Sequence, residues 1–208
     1  MLSRPFYLTT AEAEQMNDPK QLRKQTLKNR DGLSAKEIRE KSAVICKKLL
    51  ALPEIQQSTS IFMYVSFRSE VATDALLENL IGAGKIVSVP ITHLKEHRID
   101  AIRITHPAKD LVPGYCDIPE PRNEILATHY VPPESIDAII LPGSVFDLRC
   151  GRFGYGGGFY DRFVSAAPSA VRIGLAFDLQ IVERAPLQDH DELLDIVVTE
   201  SRIIRGNR

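Results

Sequence analysis

Five short apolar runs constrain the fold more than anything else in this chain: SIFMYV (Ser60–Val65), IVSVP (Ile86–Pro90), IDAIILP (Ile136–Pro142), VRIGLAF (Val171–Phe177) and LLDIVVT (Leu193–Thr199). Runs of this length, rich in strand formers, read as strands buried inside a parallel sheet. TDALLENLIGAGK (Thr73–Lys85) reads as a capped helix ending at glycine. It lies between the first two runs, which makes a βαβ unit with parallel pairing and a right-handed crossover. DAIRIT, from Asp100, alternates well enough for a further strand. Upstream, Lys20 to Arg30 is basic, with Leu22 and Leu27 on a helical spacing. SAKE (Ser34–Glu37) is a capping box that opens a second helix, placing Ile38, Val44, Ile45, Leu49 and Leu50 in apolar positions before Pro53. Both helices are polar on one side and should cover a sheet. Phe159 to Ala166 predicts one more helix. The pattern is that of one α/β domain, doubly wound or close to it.

The bulk numbers agree. A chain of 208 residues fits one domain. At this size about 70% of the unfolded surface can be buried, so no disulfide or structural metal is needed. The net charge of -1 supplies no basic field for nucleic acid or an anionic membrane. Cys46, Cys116 and Cys150 form an odd set with no C-x-x-C pair, which points to reduced thiols in a cytoplasmic protein. No apolar run approaches a membrane span. Residues 1–17 have no signal-peptide core and carry Glu12 and Glu14, so they read as an N-terminal extension to a domain over 18–208.

In such sheets ligands bind beyond the carboxyl ends of the strands. Three features follow strands and could converge there: Glu70, a glycine loop, and Glu200 with Ser201. The loop is the most distinctive. Gly151, Gly154, Gly156, Gly157 and Gly158 are five of only twelve glycines in the chain. It is not a Walker A loop, because no lysine lies between Lys109 and the C-terminus. It is not a Rossmann fingerprint either, since Phe159 stands where the third glycine belongs. What remains is backbone N–H groups without Cβ atoms in the way, before a helix start, which suits an anion. Arg152 adds a bidentate phosphate donor, and Asp161 is an oxygen ligand of the kind magnesium takes. Phe153, Tyr155, Phe159 and Tyr160 argue against a mere solvated turn; Phe153 is expected in the core.

These residues carry a family resemblance. LPGSVFDLRCGRFGYGGGFYDRF (Leu141–Phe163) resembles the signature P-G-x-x-F-D-x-x-G-x-R-x-G-x-G-x-G-Y-Y-D of 5-formyltetrahydrofolate cyclo-ligases. QLRKQTLKNRDGLSAKE, YVSFRSEVATDALL, GYCDIPEP and HDELLDIVVTE resemble further family segments in the right order, from about 20 to 200. Two departures stand out: Cys150-Gly151-Arg152 is read as closing G-x-R to G-R, and Phe159 replaces the first tyrosine.

The resemblance implies a single layered domain with a mostly parallel sheet flanked by helices (NagB/RpiA/CoA-transferase-like, Rossmann-like). It also implies a monomeric enzyme acting on ATP and a folate, with Mg2+. The reaction takes 5-formyltetrahydrofolate to 5,10-methenyltetrahydrofolate, ADP and phosphate, by phosphorylation of the formyl oxygen and ring closure by N10. Carried over by motif, ATP falls to Lys20, Arg23, Arg152, Phe153, Gly154, Tyr155, Gly156, Gly157, Gly158, Phe159 and Tyr160. Folate falls to Val65, Glu70 and Tyr155 through Phe159, magnesium to Asp161 and Asp195, and the chemistry to Arg152, Tyr155 and Asp161. The family's lysine position before Arg23 is Pro19 here, with Lys20 one residue off. That leaves two rivals: a relative that binds nucleotide or folate without turnover, and a phosphosugar isomerase or acyl-CoA enzyme of similar fold. HLKEH (His93–His97) reads as a solvated loop, His190 as a structural hydrogen-bonding residue, and Cys150 as a thiol with nothing nearby to activate it.

Overall fold

The computed structural model describes residues 18–114, 117–187 and 192–208. The expected extension over 1–17, Cys116 and His190 lie outside these residues.

The first helix, α1 (Pro19–Asp31), starts where local chemistry dictates: proline at its first position, and the Asp18 carboxylate accepting the Lys20 N–H at 2.9 Å. The second, α2 (Ala35–Leu50), has the expected capping box, with Ser34 Oγ accepting the Glu37 N–H at 3.2 Å and Glu37 Oε2 accepting the Ser34 N–H at 2.9 Å. It buries Ile45 and Leu49, but Val44 is exposed. One residue is a 100° rotation, so Val44 cannot share the core-facing stripe with Ile45. A short α3 (Pro53–Gln57) leads into β1 (Ser60–Met63), α4 (Asp74–Gly82) and β2 (Ile86–His93), the expected βαβ unit, with Ser60 opposite Ile86 in parallel register.

The next strand, β3 (Arg98–Ile104), returns antiparallel to β2 and pairs Val87 with Ile104. A four-residue turn cannot carry the crossover that parallel pairing needs. Two small pairs follow. The short α5 (Pro107–Asp110) and α6 (Asn123–Leu126) flank the paired strands β4 (Leu111–Pro113) and β5 (Pro119–Pro121), and β6 (Tyr130–Val131) pairs with β3. The chain then passes through β7 (Ala138–Leu141), β8 (Val145–Asp147), β9 (Arg152–Phe153), α7 (Phe159–Ser165), β10 (Val171–Leu175), β11 (Ile181–Val182), β12 (Ile196–Val198) and β13 (Ile203–Arg205).

The main sheet is ordered β13-β12-β10-β7-β1-β2-β3-β6. Its five central strands run parallel, β13 and β3 run against them at either side, and β6 pairs antiparallel with β3 at the edge. Successive side chains alternate faces. Ile61 and Met63 pack with Ile45, Leu49, Leu76, Leu77 and Leu80 on the α2–α4 side. Phe62 faces the other way and meets Phe163 of α7, ring centroids 4.2 Å apart. Each such side chain, fully buried, contributes about 1.5–3 kcal/mol. A small sheet, β11-β8-β9, lies beyond the carboxyl end of β7. From β1 the chain first moves to β2; it later returns to the other side of β1 with β7, so the order reverses between β1 and β7. The crevice at the carboxyl ends of those two strands is where such a fold binds ligands. No helix among the described residues is long and apolar enough to cross a membrane.

Candidate active site

A cleft of about 1020 Å³ opens at that crevice. Lys20, Arg23 and Arg30 of α1 form one wall, Tyr64, Val65 and Glu70 beyond β1 a second, and Arg152 to Arg162 a third. Of the three features that follow strands, Glu70 and the glycine loop meet here. Glu200 does not: it pairs with Lys41 and accepts the Asp178 N–H at 2.9 Å, locking α2 to the end of β12.

The loop is aimed by the turn before it. Asp147, fully buried, accepts the N–H groups of Gly151 (2.7 Å), Arg149 (2.9 Å) and Ala185 (2.9 Å), and the Arg149 guanidinium closes on it at 2.7 Å. Cys150 has φ 64, a backbone that favours glycine. That corrects the reading of a closed G-x-R spacing. In F-D-x-x-G-x-R, Asp147 to Arg152 keeps full length and Cys150 occupies the glycine position. The departure is a substitution, and Arg152 stays in register. Gly151 is required separately, because a Cβ there would lie 2.9 Å from the Asp147 carboxylate. Burial pushes the Cys150 thiol up to about 11, so it is no nucleophile at neutral pH.

Within the loop, Gly156 (φ 98) and Gly158 (φ 63) adopt left-handed conformations. Gly156 also lets the Arg23 guanidinium approach, since a Cβ would stand 3.1 Å from its Nη1. Arg23 lies 4.2 Å from the Phe153 ring centre, while its Nε is buried without a hydrogen-bond partner among the described residues. Phe153 packs on the small cluster of Leu22, Val145, Val182 and Ala185, as expected for a core anchor. Arg152 is buried and donates to Asp161 Oδ1 at 2.5 Å and to the Pro142 carbonyl at 3.3 Å. The helix that follows, α7, has seven residues, so the amides and cations matter more to an anion here than its dipole.

Across the cleft, Glu70 Oε2 accepts the Phe67 N–H at 2.9 Å, and its Oε1 accepts the Tyr155 hydroxyl. Burial raises the Glu70 carboxyl above its usual value, against the opposing pull of Tyr155, the Phe67 amide and Arg30. The Tyr155 and Tyr160 phenols are pushed up as well, first by burial and then by the Glu70 charge. Arg30, not singled out above, donates to Tyr155 Oη at 2.9 Å and to Ser69 Oγ at 3.0 Å. Its signal was present: Leu22, Thr26 and Arg30 recur every four residues and form the buried stripe of α1.

Asp195 is not at this cleft. It precedes β12 near the amino ends of the strands, with Oδ2 accepting the Arg172 N–H at 2.8 Å and Oδ1 paired with Arg208 at 3.0 Å. Asp161 and Asp195 therefore do not form a joint magnesium site. No group of three or more His, Cys, Asp or Glu suited to a metal occurs among the described residues. HLKEH is the end of β2 and a turn, with His93 bonded to Asp100 at 2.9 Å and His97 stacked on Phe159 at 5.9 Å.

A glycine loop backed by arginines thus faces a buried carboxylate across the reversal point of a parallel sheet. The chain belongs to the 5-formyltetrahydrofolate cyclo-ligase family, whose model matches residues 15–200. It is 30% identical over 176 residues to the 5-formyltetrahydrofolate cyclo-ligase of Escherichia coli K12, covering 84% of this chain and 96% of that one. With the mouse cyclo-ligase it shares 28% over 183 residues, 81% of this chain and 86% of that one. The NMR structure of Aquifex aeolicus 5,10-methenyltetrahydrofolate synthetase superposes with a TM-score of 0.80 at 31% identity, over 91% of this chain and 93% of that one. A synthetase from Mycoplasma pneumoniae shares the fold, with a TM-score of 0.70 at 24% identity over 88% and 99% of the two chains.

Proposed function

We propose that this enzyme converts 5-formyltetrahydrofolate to 5,10-methenyltetrahydrofolate at the expense of ATP. The N5-formyl group is amide-like and a poor electrophile. Transfer of the γ-phosphoryl group to its oxygen releases ADP and leaves an iminium phosphate. N10 then attacks the formyl carbon and loses its proton, the C–O bond breaks, and phosphate departs. No protein nucleophile is needed; positioning and charge neutralisation suffice.

The observation that carries this reading is the contact between Tyr155 and Glu70, which joins the arginine-backed glycine loop to a buried carboxylate in one cleft. The loop amides, Arg152, Arg23 and Lys20 would hold the triphosphate, and Arg23 has the unpartnered donor such a ligand would fill. Glu70 would accept the N–H groups of the pterin, with Val65, Tyr155 and Phe159 against its ring. Arg152 would neutralise charge on the transferring phosphoryl, and Asp161, bonded to it, would fix its direction. Magnesium bound with ATP would supply further charge neutralisation, but the expected pair of carboxylates, Asp161 and Asp195, does not fit one ion.

The test mixes purified protein with 5-formyltetrahydrofolate, ATP and magnesium and follows the methenyl product by absorbance. ATP-dependent product is expected. No product beside an active control sinks the proposal in favour of a binding-only relative, and product without ATP sinks the mechanism.

A further inference from the structure

The cluster around Glu70 contains a cation that the glycine loop and the substrate carboxylate do not explain. Arg30 sits near the end of α1, only 5% exposed. Its Nε donates to Ser69 Oγ, and its Nη1 reaches both Tyr155 Oη and, at 3.4 Å, the Gly143 carbonyl. One side chain thus touches the segment after β1, the segment after β7 and the glycine loop. These are the two lips of the crevice and the loop that closes it.

The direction of these bonds matters. A phenol has one proton. Because Arg30 donates to Tyr155 Oη, that proton is left for Glu70 Oε1, where the structure has it. Ser69 Oγ, taking the Arg30 N–H, turns its own proton to Asp31. The groups facing Glu70 are Arg30 from α1, with Asp31 behind Ser69, Tyr64 beyond β1, Tyr155 from the loop and Tyr160 from α7. Its neighbour Arg68 lies over the Phe67 ring at 4.9 Å, and Arg152 is bonded to Asp161. Arg30 therefore reaches Glu70 through one intervening group, the Tyr155 hydroxyl that it donates to and that donates to Glu70.

We propose that Arg30 is a positioning residue: it fixes the Tyr155 hydroxyl toward Glu70 and sets its positive charge one hydrogen bond behind that carboxylate, presetting the folate half of the cleft. The proposal rests on the function above for its substrate, but its central claim concerns Glu70 itself and is read without turnover. The Glu70 side-chain carboxyl carbon, assigned by its absence in Glu70→Gln, is titrated by NMR in the wild type, Arg30→Met and Arg30→Lys. Loss of the positive charge behind the Tyr155–Glu70 hydrogen bond is expected to move the midpoint up by about one pH unit in Arg30→Met. In Arg30→Lys, which keeps the charge, it should stay near the wild-type value. In turnover, KM for 5-formyltetrahydrofolate should rise about tenfold in Arg30→Met, the worth of one charge-assisted hydrogen bond, while KM for ATP stays within about twofold. Arg30→Lys should recover only part of the folate KM, because an ammonium cannot span the three partners of a guanidinium fork.

An unmoved midpoint in Arg30→Met overturns the proposal whether or not the enzyme turns over. Equal rises in both KM values, with the midpoint shifted, would mean a general loosening of the cleft and overturn the positioning of folate alone. If Arg30→Met does not fold, a midpoint in Arg30→Lys raised by about one pH unit over the wild type overturns it instead. A wild type that titrates as described but makes no product would sink the function and leave the Arg30–Tyr155–Glu70 arrangement standing.

Discussion

Asp161 and Asp195 are carboxylates of nearly equal exposure, 24% and 27%, each paired with an arginine. They nevertheless sit in opposite settings. At the amino edge of the sheet, Asp195 and Asp137 accept backbone N–H groups: that of Arg172 for one, those of Thr59 at 2.7 Å and Ser60 at 2.9 Å for the other. These bonds close strand ends. At the carboxyl edge, Asp161 meets the Arg152 guanidinium, and Glu70 meets the Tyr155 hydroxyl with the oxygen that the Phe67 N–H does not hold. A polar group satisfied by backbone belongs to the fold, whereas polar groups satisfied by one another around a cavity can exchange partners with a ligand.

Four measurements would break or sharpen that contrast. The largest effect is expected at the carboxyl edge. Arg152→Ala should lower kcat/KM for ATP roughly a hundredfold, the usual cost of one donor aimed at developing charge. An unchanged value would remove Arg152 from the phosphate site. The two aspartates come next. Asp161→Asn should lower turnover about tenfold or more through the loss of a charge-assisted bond, with little change in melting temperature. Asp195→Asn should leave turnover within about twofold and lower the melting temperature by about 2–4 °C. If Asp195→Asn abolishes turnover while the fold survives, the contrast between the edges fails.

The third measurement is pH. In the proposed function, ionised Glu70 is the form that would pair with pterin N–H groups, and burial raises its pKa above the ordinary 4.5. On the acid side, kcat/KM for folate should therefore climb with pH through a midpoint above that value, and this limb should vanish in Glu70→Gln. Stability runs the opposite way. A raised folded pKa means that the contribution of Glu70 is present below 4.5 and is lost as pH rises through the folded value. The ligand-free enzyme should thus lose stability over the range in which it gains substrate affinity. A wild type and Glu70→Gln with parallel melting curves against pH would contradict this. The smallest effect lies far from the cleft. Ser34→Ala removes a capping box and should cost about 1 kcal/mol of stability with turnover unchanged.

Much of this protein was legible in its residues. The strand runs, the capping box, the βαβ unit and the glycine loop were all local patterns, and the structure carries each of them. The site was legible where a motif names its residues, as with Glu70, Arg152 and the loop glycines. It was illegible where a role depends on what lies opposite. Arg30 reads as one more basic residue in a basic helix until Ser69, Gly143 and Tyr155 are brought against it from 39, 113 and 125 residues away. Cys150 reads beside Gly151 as a shortened motif until its φ of 64 shows which residue takes the glycine turn.

By itself, the sequence determined the periodicities, the turn chemistry and the absence of a lysine from the loop, because these depend on neighbours along the chain. Only the tertiary structure decided which strands lie side by side, that β3 runs antiparallel, and that Asp161 faces a cleft while Asp195 closes the opposite edge. Strand order is set by packing two sets of side chains onto the two faces of one sheet, and that choice is made between residues far apart in the chain.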